Sequence, residues 1–288
     1  QPDSDWSQPN TVLSAYLQDE HQLTRSLSLL AGLRHDSYQT TQDATSPRLA
    51  AIFAPGSGSI FKLLYGSSFR APSLYESVDG GTLYKDNDDL RPESARTMEA
   101  VWQQRLARGL LGTASVFHYD VKRLIDLTLD PADSLYQYRN VGDARADGFE
   151  LELEGRTGRA SGYLSYSYQD AIDRDTGERL TNSPDHMLKA GAAVDLAGSL
   201  GAAMDTRYES GRRTLAGTET DGVFVSDLHL LLPARPSAAR GVMQRLELSL
   251  RLNNVFDATF ATPGGVEHRQ AAIVQDGRNL SAELRYRF

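Results

Sequence analysis

The chain has 288 residues, no cysteine and a formal charge of −8 at neutral pH. The missing cysteines exclude disulfides, cysteine-ligated zinc and a cysteine nucleophile, and an acidic chain without a dense basic patch excludes a nucleic-acid partner. No apolar run approaches the ~18–20 residues of a membrane helix, but 40 % hydrophobic residues is compatible with a β-barrel, in which half of each strand faces a wet interior.

The amino terminus, Gln1-Pro2-Asp3-Ser4-Asp5, has neither an initiator Met nor a basic, apolar secretory leader, so the expectation is a mature or truncated chain. From Thr11 onward the apolar residues recur with period two, the signature of strands whose side chains alternate between faces. Leu13, Ala15 and Leu17 form a first row, and Leu23, Leu27, Leu29, Ala31 and Leu33 a second, with a turn expected near residue 20. Leu49, Ala51 and Phe53 form a third row, and Phe61, Leu63, Tyr65 and Phe69 a fourth. The Gly-rich join Pro55-Gly56-Ser57-Gly58 suits a hairpin, whereas Ala71 to Pro92 is a long polar and aromatic loop.

Alternation resumes with Met98, Ala100, Trp102 and Leu106 and turns within Ala107-Arg108-Gly109. Residues 111 to 130 set Phe117, Tyr119, Val121, Ile125, Leu127 and Leu129 against His118, Asp120, Lys122, Asp126, Thr128 and Asp130. Phe149, Leu151 and Leu153 then oppose Glu150, Glu152 and Glu154, and a turn at Thr157-Gly158 leads to Leu164, Tyr166 and Tyr168. Further rows are His186 to Leu196, Leu200 to Tyr208, Phe224 to Leu232 and Leu246 to Leu252. The chain closes on a strand in which Leu280, Ala282, Leu284, Tyr286 and Phe288 oppose Asn279, Ser281, Glu283, Arg285 and Arg287.

This reading gives about thirteen strands of roughly 9–12 residues, the length that crosses an apolar band at a tilt. Short joins near 20, 56, 109, 157, 198 and 233–243 alternate with long ones near 40, 80, 131, 175, 215 and 265. An up-and-down membrane barrel produces that two-beat rhythm; a Greek-key sandwich does not. Glu150, Glu152, Glu154, Lys189, Asp195, Asp205, Arg207, Glu247 and Arg251 all fall on the polar faces. The favoured reading is an all-β, antiparallel, up-and-down transmembrane barrel, with a soluble sandwich as the alternative. An odd strand count cannot close with both ends on one side, so these strands are expected to belong to a larger barrel.

Five ordered segments resemble the carboxyl-terminal part of the TonB-dependent outer-membrane receptors. Tyr65-Gly66-Ser67-Ser68-Phe69-Arg70-Ala71-Pro72 is similar to the family's Tyr-Gly-x-x-Phe-Arg-Ala-Pro. Asn87-Asp88-Asp89-Leu90-Arg91-Pro92-Glu93 is similar to Asn-Pro-x-Leu-x-Pro-Glu, departing at Asp88. Asn140-Val141-Gly142 with Gly148-Phe149-Glu150, Asn253-Asn254-Val255-Phe256-Asp257, and the closing strand from Gly277-Arg278 complete the set. The resemblance implies that residues 1–288 are part of a barrel of roughly 22 strands. It further implies that an amino-terminal plug with a TonB box and the first strands lie outside this chain. It implies a Gram-negative outer-membrane location and energy-coupled uptake of a scarce ligand, foremost a ferric siderophore, through the TonB complex. A passive channel and an outer-membrane enzyme are the alternatives. Outer-membrane lipid and the barrel-assembly machinery are the other implied partners, the latter reading the terminal Phe288.

For a ligand such as a metal chelate, Arg70, Tyr75, Tyr84 and Lys85 in the loop after residue 70, with His268 and Arg269 in the last loop, are the candidate contacts by charge and stacking. Asp86, Asn87, Asp88 and Asp89 are rich in oxygen but lack the glycine and distal glutamate of a helix-loop-helix calcium loop, so a solvated acidic loop is expected. The six histidines show no metal-ligand spacing, and no cofactor is expected. Asp185 and His186 are adjacent on a strand, point oppositely and so do not form an acid-base pair. Gly148, inside a strand, marks close packing or a bend.

Overall fold

The computed structural model describes residues 11–39, 41–77, 83–196, 200–232, 246–265 and 267–286. Thirteen strands form one antiparallel sheet. They are β1 (Val12–Thr24), β2 (Leu27–Tyr38), β3 (Ala44–Gly56), β4 (Ser59–Arg70), β5 (Glu93–Ala107), β6 (Leu110–Lys122), β9 (Ala144–Thr157), β10 (Ala160–Asp173), β11 (His186–Leu196), β12 (Leu200–Glu209), β13 (Val223–Leu232), β14 (Leu246–Asn253) and β17 (Asn279–Tyr286). Two small hairpins, β7 (Ile125–Leu129) with β8 (Tyr136–Asn140) and β15 (Ala261–Pro263) with β16 (Ala272–Val274), ride on the loops, as does the one-turn helix α1 (Leu74–Ser77). Each main strand pairs with the next main strand along the chain, and β1 and β17 form the two edges. No helix among the described residues is long and apolar enough to cross a membrane, which says nothing of strands.

The register fixes the faces, because directly opposed residues in an antiparallel pair point the same way. One face carries Leu153, Leu164, Ala190, Thr206 and Ser226, and one step along the strands Leu151, Tyr166, Leu188, Tyr208 and Phe224, each opposed in turn. The other carries Glu152, Ser165, Lys189, Arg207 and Val225. The nine charged mid-strand residues named above all lie on this second face. Where a sandwich of this size would hold a core, the buried apolar residues among those described are only Ala44, Leu90, Ala144, Ala171 and Val225. The large apolar side chains lie instead on the open outer face, with Leu280 at 71 % and Leu284 at 67 % exposure. A soluble two-layer body would have covered them. Here one sheet has its apolar side outward, for lipid.

Aromatic residues mark the edges of the outer apolar band. Near the short-turn rim Phe53, Phe61 and Trp102 are opposed in register and stack at 6.3 and 6.4 Å between centroids. Toward the loop rim Phe149, Tyr168 and His186 are likewise opposed in register, with tilted rings at 5.8 and 5.1 Å. These are the interfacial girdles of a membrane barrel.

The tight turns follow local chemistry. Ser57 and Gly58 both take positive φ, 55° and 79°, as a two-residue hairpin of the right twist requires. The first turn, expected near residue 20, lies at Arg25 and Ser26, and Leu23 belongs to β1. Thr24 determines it: its Oγ1 accepts hydrogen bonds from the N–H groups of Ser26 and Leu27. The joins expected near 198 and at 233–243, and Phe288, lie outside the described residues.

The stretch 111–130 departs most from expectation. It is a spanning strand, β6, followed by β7 of a loop hairpin, and its apolar row is inverted. Val116, not Phe117, opposes Ala100 and Phe149 on the outer face and is 58 % exposed. Phe117 opposes Glu99 and Gly148 on the inner face. The ring of Phe117 covers Gly148, where an added Cβ would come within 2.4 Å of it and within 2.3 Å of the Tyr168 carbonyl oxygen. Toward the loops the outer face turns polar, with Asp120 opposite Arg145 and His118 bonded to Asp147 at 2.6 Å. At that end the strand has left the apolar band, so the outer side no longer favours apolar residues.

Candidate functional site

Two loops at the long-loop rim, residues 71–77 with 83–92 and residues 123–143, fold onto each other. Residues from three of the family-like segments join them. Arg70 donates to both carboxylate oxygens of Glu93 at 2.7 Å and to both of Glu76 at 2.9 and 3.0 Å. Glu93 in turn accepts the Ile125 N–H at 2.8 Å, tying the start of β5 to β7. Asn140 accepts from the Arg91 N–H and donates to the carbonyls of Arg91 and Arg123. Asn87 donates to the Tyr138 carbonyl at 2.7 Å and accepts from the Asp89 N–H. Its oxygen is therefore used inside the loop, and among the described residues no group of His, Asp and Glu side chains converges as a metal site.

α1 is seated by Ser73, whose hydroxyl accepts the Glu76 N–H while the Glu76 carboxylate accepts the Ser73 N–H, a reciprocal capping box. Burial works to raise the Glu76 acid, but its bonds to Arg70 and Ser73 outweigh this and hold it below the ordinary range.

Lys85 forms the second fastening. Its ammonium meets Asp130 at 2.5 Å and Asp133 at 2.8 Å, and Arg139 reaches Asp130 at 2.7 Å. The hydrogen bond from Lys85, followed by that from the Ala132 N–H, depresses Asp130 to about 2, and the hydrogen bonds to Asp130 and then Asp133 raise Lys85.

Above this frame stands a row of tyrosines. Tyr136 and Tyr138 share one face of β8; Tyr84 packs on Tyr136 at 5.7 Å and Tyr75 meets Tyr138 edge-on at 5.9 Å. Tyr75 is 50 % and Tyr136 39 % exposed, so the row offers aromatic surface to solvent. The arrangement can stack a planar or aromatic guest while the flanking ions stay paired.

The structure thus brings Arg70, Tyr75, Tyr84 and Lys85 into one block. His268, 3.1 Å from Glu267, and Arg269 lie on the separate loop between β14 and β17. Sequence reasoning missed Tyr136, Tyr138, Asp130 and Asn140 as parts of the block. Only the Asn140-Val141-Gly142 motif signalled them, since the hydrogen-bonded partners lie 45 to 51 residues away and the tyrosine partners farther still. The last motif has the same role locally: Asn254, nearly buried, binds the Asp227 carboxylate and both backbone groups of Ala258. Asp257 accepts the Arg278 N–H.

Neither His186 nor His229 is bonded to both a hydroxyl and a carboxylate among the described residues. His186 bonds Tyr166 on the outer face, and Asp185 pairs with Arg179 at 2.5 Å. His229 meets Ser249 at 2.7 Å, but no described carboxylate is bonded to its other ring nitrogen.

An antiparallel sheet with apolar residues outward, charges inward, tight turns on one rim and folded loops on the other defines the wall of an outer-membrane β-barrel. Residues 1–255 match the family described as TonB dependent receptor-like, beta-barrel, and the chain belongs to the TonB-dependent receptors. Heme/hemopexin utilization protein C of Haemophilus influenzae is 26 % identical over 273 residues, covering 81 % of this chain and 38 % of that protein. Vitamin B12 transporter BtuB of Vibrio cholerae is 31 % identical over 195 residues, covering 67 % of this chain and 30 % of that protein. The ferric enterobactin receptor PfeA of Pseudomonas aeruginosa has the same fold, with a TM-score of 0.80 at 20 % identity over 97 % of this chain and 45 % of that one. The chain therefore spans about two fifths of the length of the relatives it matches. Two of these relatives are named as a transporter and a receptor.

Proposed function

We propose that this chain is the carboxyl-terminal wall of a larger receptor whose lumen holds a plug, and that the receptor imports a ferric siderophore with energy relayed through TonB. The observation that supports this ligand class is the solvent-facing tyrosine row, Tyr75, Tyr84, Tyr136 and Tyr138, held rigid by paired ions. An iron chelate with aromatic arms gains stacking there and loses little loop entropy on binding. Arg70 and Lys85 act by fastening the loops, and His268 with Arg269 forms a second lip. A probable TonB-dependent siderophore receptor, PiuA of Acinetobacter baumannii, aligns with all of this chain at 25 % identity, which favours the same class. The heme and vitamin B12 relatives keep those ligands as the competing choices. Phe288 is the proposed mark for the barrel-assembly machinery.

The test is uptake by cells carrying the complete receptor, with radiolabelled iron on a catecholate, a hydroxamate or heme, and with labelled cobalamin. Uptake of a ferric siderophore that stops when the proton-motive force is collapsed supports the proposal. Uptake that survives the collapse indicates a passive channel, and uptake of only heme or cobalamin rejects the ligand class.

A further inference from the structure

On the outer face, the aromatic row near the short turns runs from Phe53 through Phe61 to Trp102 and breaks off there. At its third residue β4 carries Phe61 on that face, whereas β6 carries Gly112 and β10 carries Gly162 at the same step. The register sets Gly155 of β9 between Leu110 and Gly162, all on the outer side. An added Cβ would lie 3.2 Å from the tip of Leu106 at Gly112 and 3.3 Å from the tip of Leu110 at Gly155. The glycines are thus the floor of a hollow and the leucines its wall.

That hollow has a volume of about 400 Å³, is walled by Leu110, Leu153 and Leu164, and has Arg108 and Arg156 at its rim end. A second, of about 340 Å³, continues it past the shared Leu153 and Leu164 to Trp102, Leu151 and Tyr166. From Thr157 to Leu151 the two follow β9 for ~20 Å, which at a tilt of ~40° is a depth of ~15 Å. Half of the ~30 Å hydrocarbon core, one leaflet's acyl layer, has that depth. The charges there have one sign. Among the described residues no acid borders the first hollow, and Glu152, which borders the second, lies on the inner face. Neither Arg108 nor Arg156 has an ion-pair partner among the described residues, unlike Arg70, Arg139 and Arg174 at the loop rim.

We propose that this groove holds one phospholipid of net negative charge from the leaflet on the short-turn side, with an acyl chain over Gly112, Gly155 and Gly162 and the headgroup phosphate at Arg108 and Arg156. A chain lying in a groove touches protein on three sides, where one on a flat wall touches it on one, so dispersion contacts multiply. A phosphate fits a guanidinium fork in two-point geometry. A zwitterionic headgroup brings its own cation to the same two arginines and gains less, so the site selects net negative charge. The inference rests on the lipid-facing assignment of the apolar side and not on which ligand the receptor imports.

The complete receptor is placed in nanodiscs of phosphatidylglycerol and phosphatidylcholine in equal amounts with identical acyl chains, and released in a mass spectrometer under conditions that strip loosely held lipid. At least one phosphatidylglycerol should remain bound, favoured over phosphatidylcholine about ten-fold, as two arginines near one phosphate imply. The retained count should fall by one in R108E/R156E and stay unchanged in R108K/R156K. It should also fall by one in Ala160→Phe, which fills the hollow from its open side, since Ala160 is exposed on the outer face. Unfolding in urea shows that each variant is assembled, and the exposed arginine pair decides if Ala160→Phe is not. Equal retention of the two lipids, a count unchanged in R108E/R156E or in assembled Ala160→Phe, or release of a receptor dimer in place of a lipid adduct overturns the proposal.

Discussion

Replacing Leu151 with arginine, and in a second variant replacing its neighbour Glu152 with arginine, puts the same charge on opposite faces of one strand. Leu151 is near the middle of the 14-residue β9, on the outer face and 48 % exposed. An arginine at the bilayer midplane costs about 2–4 kcal/mol. Removing a half-exposed leucine from lipid contact adds about 1 kcal/mol. Leu151→Arg should therefore destabilise by about 3–5 kcal/mol. Glu152→Arg remains in the wet interior beside Glu150 and Glu154 and relieves like-charge repulsion, so its effect should stay within about 1 kcal/mol. Urea unfolding of the complete receptor in phospholipid vesicles, followed by tryptophan fluorescence, reads both. Equal losses, or the larger loss at Glu152, would refute the face assignment.

Other outcomes follow from the same geometry. Gly148→Ala should cost about 1–3 kcal/mol, because the new methyl meets both the Phe117 ring and the Tyr168 carbonyl; the urea midpoint checks it. Asn254→Ala should cost about 1–2 kcal/mol by leaving half-buried backbone groups of Ala258 unbonded, read the same way. The Asp130 acid is depressed in the folded protein, so the loop fastening is complete above the ordinary carboxylate range and is lost as pH falls through the folded value. Spin labels at Leu83 and Ala132 should keep a fixed separation from neutral pH to about 4 and broaden between about 4 and 2, whereas Lys85→Met broadens it at neutral pH. Tyr75→Ala should weaken binding of an aromatic ferric siderophore about ten-fold without changing the urea midpoint, as loss of one stacking contact implies.

The strand count and the two-beat loop rhythm were legible because each spanning strand must alternate to satisfy lipid on one side and water on the other. That constraint does not say which large side chains the inner face will hold, and there the reading failed. Phe117, Tyr119 and Val121 looked like a lipid row, yet Phe117 serves an inner-face contact with Gly148. The turn at Arg25-Ser26 was hidden because Leu23 continues the apolar alternation while the hydroxyl of Thr24 sets the turn. In the loop block Tyr75, Tyr84 and Lys85 were visible as candidates, but their partners Tyr138, Tyr136 and Asp130 are brought to them by the β7–β8 hairpin. Periodicity carries no information about such pairings. The motifs that resembled the family turned out to be fasteners: Arg70 with Glu93, Asn140 with Arg91, and Asp257 with Arg278.

Spin labels placed one at a time from Phe149 to Glu154 and from Thr113 to Phe117, in the complete receptor in bilayers, test the lipid-facing assignment most directly. Labels at Phe149, Leu151, Leu153, Ala114 and Val116 should be relaxed by oxygen dissolved in the lipid, and those at Glu150, Glu152, Glu154, Thr113, Ser115 and Phe117 by a water-soluble nickel chelate. Absence of the alternation, or oxygen access at Phe117 with nickel access at Val116, would contradict it.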